Sequence, residues 1–229
     1  MARDNNSKKE GDKLIVTNIF GAVNWGIDKS KKLSSQNMLT IMLTGSSIRK
    51  DTRLTLGIKS RTSKGTFSDG VMNNITLDVM FAGTIANVMD IMIDNYVNKI
   101  SGEIWKKEVL QKVGQRSISF GIVEDNDMFY PVVSIGAINE SGEETSQAFL
   151  IHFSERNEGE ITFNAEKYPQ LSIDCGILKG LSQTFNMLAA GTHPQISKHV
   201  SSLYNISRGG YDNKQIDTER QKITSGNLY

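Results

Sequence analysis

Residues 53–61 read RLTLGIKSR, and apolar and polar side chains alternate along this stretch. The apolar parity consists of Leu54, Leu56 and Ile58. The opposite parity carries cations without a carboxylate, namely Arg53, Lys59 and Arg61. Because successive side chains of a β-strand point to opposite faces, the pattern predicts a strand with one buried face and one cationic face.

Similar strand patterns recur on both sides of this stretch. Alternating or continuous apolar runs lie at 14–20, 37–45, 71–81, 116–124, 128–139, 146–155 and 159–168. Pro131, inside one of these runs, suggests an edge strand or a bulge, because proline has no N–H for a ladder bond. The segment that leads from Trp105 to Gly114 fits either a helix or a linker.

Two longer segments have the period of a helix. From Gly83 the hydrophobic spacing changes to three and four residues, which predicts an amphipathic helix over 84–100 that ends near Gly102. A second helix is predicted over 171–191, and a short third helix from Pro194 to near Tyr204. The signals of the second helix are Ser172 as its N-cap, Asp174 in its first turn and Gly191 at its end.

These elements predict an α+β fold of two repeated units, each an antiparallel four-stranded β-meander followed by a helix packed on the sheet. The units cover residues 35–101 and 115–191, and the short helix covers 194–204. Together they form a single domain over 14–206. A disordered arm (1–13) precedes it and a mobile tail (207–229) follows it.

The composition of the 229 residues is that of a soluble globular protein, with 38% hydrophobic and 22% charged residues. No apolar run approaches the roughly 20 residues that span a bilayer, and the polar N-terminus has no secretory signal. A single cysteine, Cys175, indicates a reducing compartment. We therefore expect a cytoplasmic protein without a membrane partner, located in the host cytoplasm if it is viral.

The charge is distributed unevenly along the chain. Residues 1–116 hold 18 Lys/Arg against 11 Asp/Glu, whereas residues 117–229 hold 8 against 14. Such a split indicates a surface that faces a polyanion, or attraction between the halves or between subunits.

Catalytic and metal-binding patterns are absent from the sequence. His152, His193 and His199 are the only histidines, and none has the i, i+4 spacing of a zinc pair. Cys175 lies near a helix N-terminus, which can lower a thiol pKa, but a buried small residue is the favoured interpretation. No phosphate-binding loop, dinucleotide fingerprint or nucleophile elbow is present. The sequence predicts a non-enzymatic protein without catalytic residues, cofactor or metal.

Basic and aromatic residues instead predict nucleic-acid binding, since cations neutralise phosphates and aromatic rings stack on bases. The candidate cations are Arg49, Lys50, Arg53, Lys59, Arg61 and Lys64, with Lys29, Lys31 and Lys32 before the neighbouring strand. The candidate stacking residues are Trp25, Phe67, Phe129 and Tyr130. Gly57 and Gly121, with Ser117 and Ser119, would let bases lie close to the sheet.

The order of four strands and a helix, found twice, resembles the Whirly architecture, a duplicated form of the single-stranded-DNA-binding fold of the transcriptional positive cofactor four. In the second half the strands RSISFGIVE and QAFLIHFSE and the helix LSIDCGILKGLSQTFNMLAAG carry the likeness. In the first half RLTLGIKSR and GTIANVMDIMIDNYVNKI carry it. The lysine- and glycine-rich signature of plant Whirly proteins is not present. As a compact single domain with short charged tails and no targeting peptide, the chain also resembles single-stranded-DNA-binding proteins of bacteriophages, which act in DNA replication.

The resemblance implies sequence-tolerant binding of single strands by sheet faces, with DNA favoured over RNA, and homo-oligomers assembled through helices. Apolar residues on more than one face of the first helix, notably Met89, Met92 and Ile93, also favour an oligomer. Two other hypotheses remain: a virion or other assembly protein that acts through subunit contacts, and a β domain that binds a small ligand or peptide.

Overall fold

The computed structural model describes residues 14–27, 33–46, 48–61, 72–111, 114–138, 141–152 and 170–207. For residues 23–27, 33–35, 72, 170–172 and 205–207 it describes the backbone alone. The predicted arm, the tail beyond Ser207 and the predicted strand 159–168 lie outside the described residues.

Eight strands and three helices follow one another along the described chain. They are β1 (Leu14–Ile27), β2 (Leu33–Ser46), β3 (Thr52–Ser60), β4 (Met72–Asp78), α1 (Phe81–Val97), β5 (Gly102–Leu110), β6 (Gln115–Asp125), β7 (Met128–Ile138), β8 (Glu144–Leu150), α2 (Gln170–Ala189) and α3 (Pro194–Ser207).

The strands form two antiparallel meanders, sheet 1 with the order β1-β2-β3-β4 and sheet 2 with the order β5-β6-β7-β8. Two antiparallel sheets with three helices confirm the predicted α+β class. The opening stretch forms β3, which is the third strand of sheet 1 because residues 14–27 supply an edge strand before it.

Both sheets share one hydrophobic core with α1 and α2. Leu54, Leu56 and Ile58 of β3 are almost completely buried in it, which confirms the predicted apolar face. Their partners in register on β2 are Leu43, Ile41 and Leu39, which are buried as well. Burying one such side chain contributes about 1.5–3 kcal/mol, so alternation along two paired strands is enough to fix which face turns inward.

A polar seam joins the two sheets at one end of the core. The Asn73 side chain donates to the carbonyl of Ile135 (3.2 Å) and accepts from Thr145 Oγ1 (3.3 Å). Gln147 accepts from the Asn73 backbone N–H (2.9 Å) and donates to Ser60 Oγ (2.8 Å). Since a buried polar group left without a partner costs about 1–3 kcal/mol, these bonds oppose sliding of one sheet over the other.

Helix α3 packs over β1 and β2. Its buried His199 shares a hydrogen bond with Thr17 of β1, with 3.0 Å between Nδ1 and Oγ1. Burial lowers the pKa of His199, so the imidazole is held in its neutral form. Gly45 of β2 leaves the space into which Leu203 and His199 project, and a side chain there would also collide with the Asp51 carbonyl.

Two predictions in the middle of the chain are wrong in detail. Residues 102–110 are an edge strand of sheet 2, not a helix or a linker, and Trp105 lies 5.8 Å from Phe120 between ring centroids. Helix α1 ends at Val97, because Lys99 adopts a left-handed conformation with φ 54°. Ile100, which the periodicity placed on the apolar face of the helix, is therefore exposed.

The start of α2 also differs from the prediction. The helix begins at Gln170, so Ser172 lies inside it and is not its N-cap, and Asp174 lies beyond the first turn. Burial, together with the Asp174 carboxylate, raises the pKa of Cys175, contrary to the effect expected of a helix N-terminus. The prediction for Gly191 is confirmed, since its φ of 71° ends the helix and lets Thr192 N–H bond the Met187 carbonyl at 2.9 Å.

Two further sequence arguments fail. Met89 and Met92 are buried in the core of this single chain, so they do not provide the spare apolar face from which an oligomer was inferred. Pro131 lies in β7, which pairs with β6 and with β8, so it marks neither an edge strand nor a shift in the β6–β7 register. Its carbonyl accepts the N–H of Ile151 at 2.8 Å.

Candidate nucleic-acid interface

Short polar side chains and glycine form the centre of the outer face of sheet 1, the side turned away from the core. Thr55 on β3 bonds Thr44 on β2 at 2.8 Å and Thr76 on β4 at 3.0 Å, in each case between Oγ1 atoms. Thr40 Oγ1 donates to the carbonyl of Gly57 at 3.2 Å. This threonine ladder crosses three strands and fixes the centre of the face, where Met42 lies in register with Thr55.

The cations stand at the two ends of this face. Arg53 lies at one end with Arg49 and Lys50 of the β2–β3 hairpin, and Lys59 and Arg61 lie at the other end. Lys59 lies six positions beyond Arg53 along the strand, which corresponds to about 20 Å. An extended polyanion laid along β3 would therefore meet positive charge at both ends and a neutral surface between them.

The hairpin that carries three of these cations is held by Ser46. The Ser46 carbonyl accepts the N–H of Lys50 at 2.8 Å, and Ser46 Oγ accepts the N–H of Arg49 at 3.0 Å. The Ser46 N–H in turn donates to Asp51 Oδ1 at 3.2 Å. These bonds hold Lys50 at φ 54°, a conformation uncommon for residues other than glycine.

Asp51 lies between the two arginines of this end. Its Oδ2 is 3.3 Å from Arg53 Nε and 4.0 Å from Arg49 Nε. Partial burial alone would raise the pKa of Asp51, but the Ser46 N–H and both guanidinium groups outweigh it and lower the pKa. The carboxylate is thus charged at neutral pH and neutralises part of the positive charge that an incoming anion would meet.

A cavity of about 460 Å³ opens beside this cluster. It is lined by Leu14, Thr44, Gly45, Ser46, Arg49, Asp51, Arg53, Thr76 and Gln111. Gln111, at the end of β5, reaches across to donate to the Thr76 carbonyl of β4 at 2.9 Å. Two guanidinium groups outnumber the Asp51 carboxylate around this opening, and together with hydroxyls and an amide they suit a ligand with phosphate oxygens and a polar ring edge.

The outer face of sheet 2 also contains small residues but carries a different charge. Ser119 is in register with Ser134, and Ser117 with Gly136. A second cavity of about 460 Å³ lies along β6 and β7, with Glu103 and Glu124 among its lining residues. These carboxylates disfavour phosphate, so the small residues of sheet 2 alone do not make it an equivalent anion site.

The aromatic candidates do not join the basic cluster in the described residues. Phe129 is half-buried against the main core, and Tyr130 packs on a smaller cluster of sheet 2 and edge-on against His152 at 5.2 Å. Trp25 lies in β1 opposite Gln36, with its backbone alone described. The remaining candidates lie outside the described residues, namely Lys29, Lys31, Lys32, Lys64 and Phe67.

A buried polar network lies on the other side of the core, where α1, α2 and the end of β8 meet. Asp174 is fully buried and accepts from Tyr96 Oη at 2.7 Å, and its Oδ2 is 2.8 Å from His152 Nδ1. Burial first, and then the Asp174 carboxylate, raise the pKa of Tyr96. The network bonds two helices to a strand and has no described cavity beside it, so we assign it to stability.

The sequence did not predict three residues that lie by the basic cluster of sheet 1, namely Asp51, Gln111 and Tyr204. Asp51 directly follows Lys50 in the sequence, but its pairing with both arginines depends on the fold of the turn, and Gln111 reaches the cluster only through the approach of β5 to β4. The sequence pattern predicts Tyr204 only as the end of a helix, yet its ring lies under Lys50 Nζ with 5.3 Å from Nζ to the ring centroid. The aromatic residue in a helix with many polar residues was the one available signal.

Comparison with known proteins assigns no function to this site. No protein-family model matches the chain, and no curated protein is similar to it. None of the three described helices has the length and hydropathy of a bilayer-spanning segment. Among the described residues, no group of three or more histidine, cysteine or acidic side chains is arranged to hold a metal ion.

Proposed function

We propose that the protein is a non-enzymatic, sequence-tolerant single-stranded-nucleic-acid-binding protein whose ligand lies along the outer face of sheet 1. The observation that carries the proposal is the placement of five cations at the two ends of sheet 1, with an uncharged sheet face between them. Arg49, Lys50 and Arg53 form one group, and Lys59 and Arg61 form the other. Asp51 and Asp78 offset part of this charge, and the balance of the seven groups is positive.

The face suits a single strand better than a duplex. Its centre, formed by the threonine ladder and Gly57 with Met42 in register with Thr55, carries no charged side chain, so splayed bases can lie against it. The order of four strands and a helix, found twice, supports a Whirly-like arrangement of the chain. That likeness favours DNA over RNA and favours a homo-oligomer, and both belong to the proposal.

Fluorescence anisotropy with a labelled oligothymidylate at a series of salt concentrations tests the proposal. Each phosphate contact with a single strand adds about 0.7 to the slope of log K against log salt. Five contacts give a slope of about −3.5, and the triple variant R53Q/K59Q/R61Q should reduce its magnitude by about 2.

A matched triple variant, K106Q/K179Q/K198Q, removes the same charge from β5, α2 and α3. Lys106 and Lys179 form exposed ion pairs with Glu108 (2.7 Å) and Asp90 (3.0 Å), so little stability is lost. This control should keep the wild-type slope. Absence of single-strand binding at low salt would refute the proposal, and equal affinity for duplex would reduce it to nonspecific charge. Competition with oligouridylate measures the preference for DNA.

A further inference from the structure

The tip of the β2–β3 hairpin and the last described turns of α3 form one composite surface. Lys50 Nζ lies 5.3 Å from the centroid of the Tyr204 ring, within the range of a cation–π contact. The two residues are far apart in sequence, and both are exposed at the end of sheet 1 where Arg49 and Arg53 lie.

The position of Tyr204 is fixed by the buried side of its helix. His199 bonds Thr17 of β1, and Leu203, the residue before Tyr204, is buried beside Gly45 of β2. The tyrosine itself is 51% exposed. Helix α3 therefore presents an aromatic surface at a set place on the rim and does not bury it in the core.

We propose that Tyr204 is a base-stacking residue, so that α3 completes the nucleic-acid site that sheet 1 begins. Arg49 and Lys50 would hold the phosphates of the nucleotide whose base lies on the ring. Stacking is the contact that the cations of β3 cannot supply, and it does not depend on the identity of the base. This inference rests on the proposed function and adds a residue that the charge pattern does not contain.

A phosphopeptide would meet the same cations but gains little from the half-exposed ring of Tyr204 beside them. The paired presence of exposed cations and an exposed ring favours a nucleotide chain, in which phosphate and planar base alternate. Competition by inorganic phosphate distinguishes a ligand that is bound through its phosphates alone.

Three substitutions at Tyr204, measured on the full chain with oligothymidylate, test the inference. Tyr204→Ala should weaken binding about 5- to 150-fold, the loss expected for one stacked base, with the salt slope unchanged. Tyr204→Phe should bind within about twofold of wild type, because the ring remains. Tyr204→Trp should show fluorescence quenching on binding, read as the difference from wild type, which contains Trp25 and Trp105.

The control is Val200→Ala, since Val200 is an exposed apolar residue one turn earlier on the same helix. It should bind as wild type does. Equal binding by wild type and Tyr204→Ala, or a Tyr204→Trp variant that binds without any added quenching, overturns the inference and leaves the proposed function standing. Absence of single-strand binding by wild type overturns both. Competition by inorganic phosphate equal to that by oligothymidylate also overturns the inference, because the cations alone would then account for binding.

Discussion

Neutralising Asp51 should strengthen nucleic-acid binding, although it removes an ion pair. Its Oδ2 lies 3.3 Å from Arg53 Nε, so a phosphate bound on the far side of that guanidinium would lie roughly 7 Å from the carboxylate. Two unit charges at this distance repel by about 0.6 kcal/mol in water, which is about threefold in Kd. Asp51→Asn keeps an oxygen that can accept the Ser46 N–H, so the hairpin should stay folded.

The assay is oligothymidylate anisotropy at about 0.01 M and 0.15 M salt, where the Debye length falls from about 30 to 8 Å. The gain in affinity should be largest at the lower concentration. Asp127→Asn is the matched control, because Asp127 lies in the β6–β7 hairpin of sheet 2 with φ 61°, a conformation that asparagine tolerates. Unchanged or weaker binding by Asp51→Asn would refute the reasoning and show that the carboxylate orients Arg53 for binding.

Three predictions concern stability, measured by urea unfolding. Tyr96→Phe should lower the unfolding free energy by about 1.5–3 kcal/mol, because it removes a hydrogen bond to buried Asp174. It should also reduce the loss of stability above pH 10, because a raised tyrosine pKa stabilises the fold only while the phenol is protonated. Asn73→Ala should cost about 1–3 kcal/mol by removing the side-chain bonds to the Ile135 carbonyl and Thr145, and an unchanged midpoint would contradict the role of the seam. Because the pKa of His199 is lowered, the unfolding free energy of the wild type should fall by up to about 1.4 kcal/mol per pH unit below pH 6.5, and that of His199→Gln should fall less. Equal slopes for the two proteins would contradict a buried neutral imidazole.

Alternation of apolar and polar residues along single strands predicted most of the fold. In β3 it identified Leu54, Leu56 and Ile58 as core residues, because a period of two places every second side chain on one face whatever the rest of the chain does. It failed at residues 102–110, where Trp105 and Lys107 face inward between polar neighbours and Lys107 Nζ covers the Phe81 ring at 5.2 Å. An edge strand whose amphipathic lysine packs through its stem has no clear hydrophobic period.

The site was less predictable than the fold. The cations of β3 and the hairpin lie close in sequence, so their common face follows from local structure. Gln111 and Tyr204 reach the same region through a strand crossing and a helix docking, and nothing near them in the sequence indicates either event. Met92 shows the converse limit, since an apolar residue on a helix does not reveal whether a sheet of its own chain or another chain covers it.

The docking of α3 on β1 joins residues separated by 182 positions, as in the bond between Thr17 and His199. At translation rates of about 5–20 residues per second, the ribosome releases the strands of sheet 1 roughly 6–24 s before it releases α3. During that interval the cations of the hairpin exist without the helix that packs beneath Gly45 and without the ring beside Lys50. The nascent chain would present the cations of the proposed site before it presents the Tyr204 ring, so we expect its affinity for single-stranded nucleic acid to rise late in synthesis.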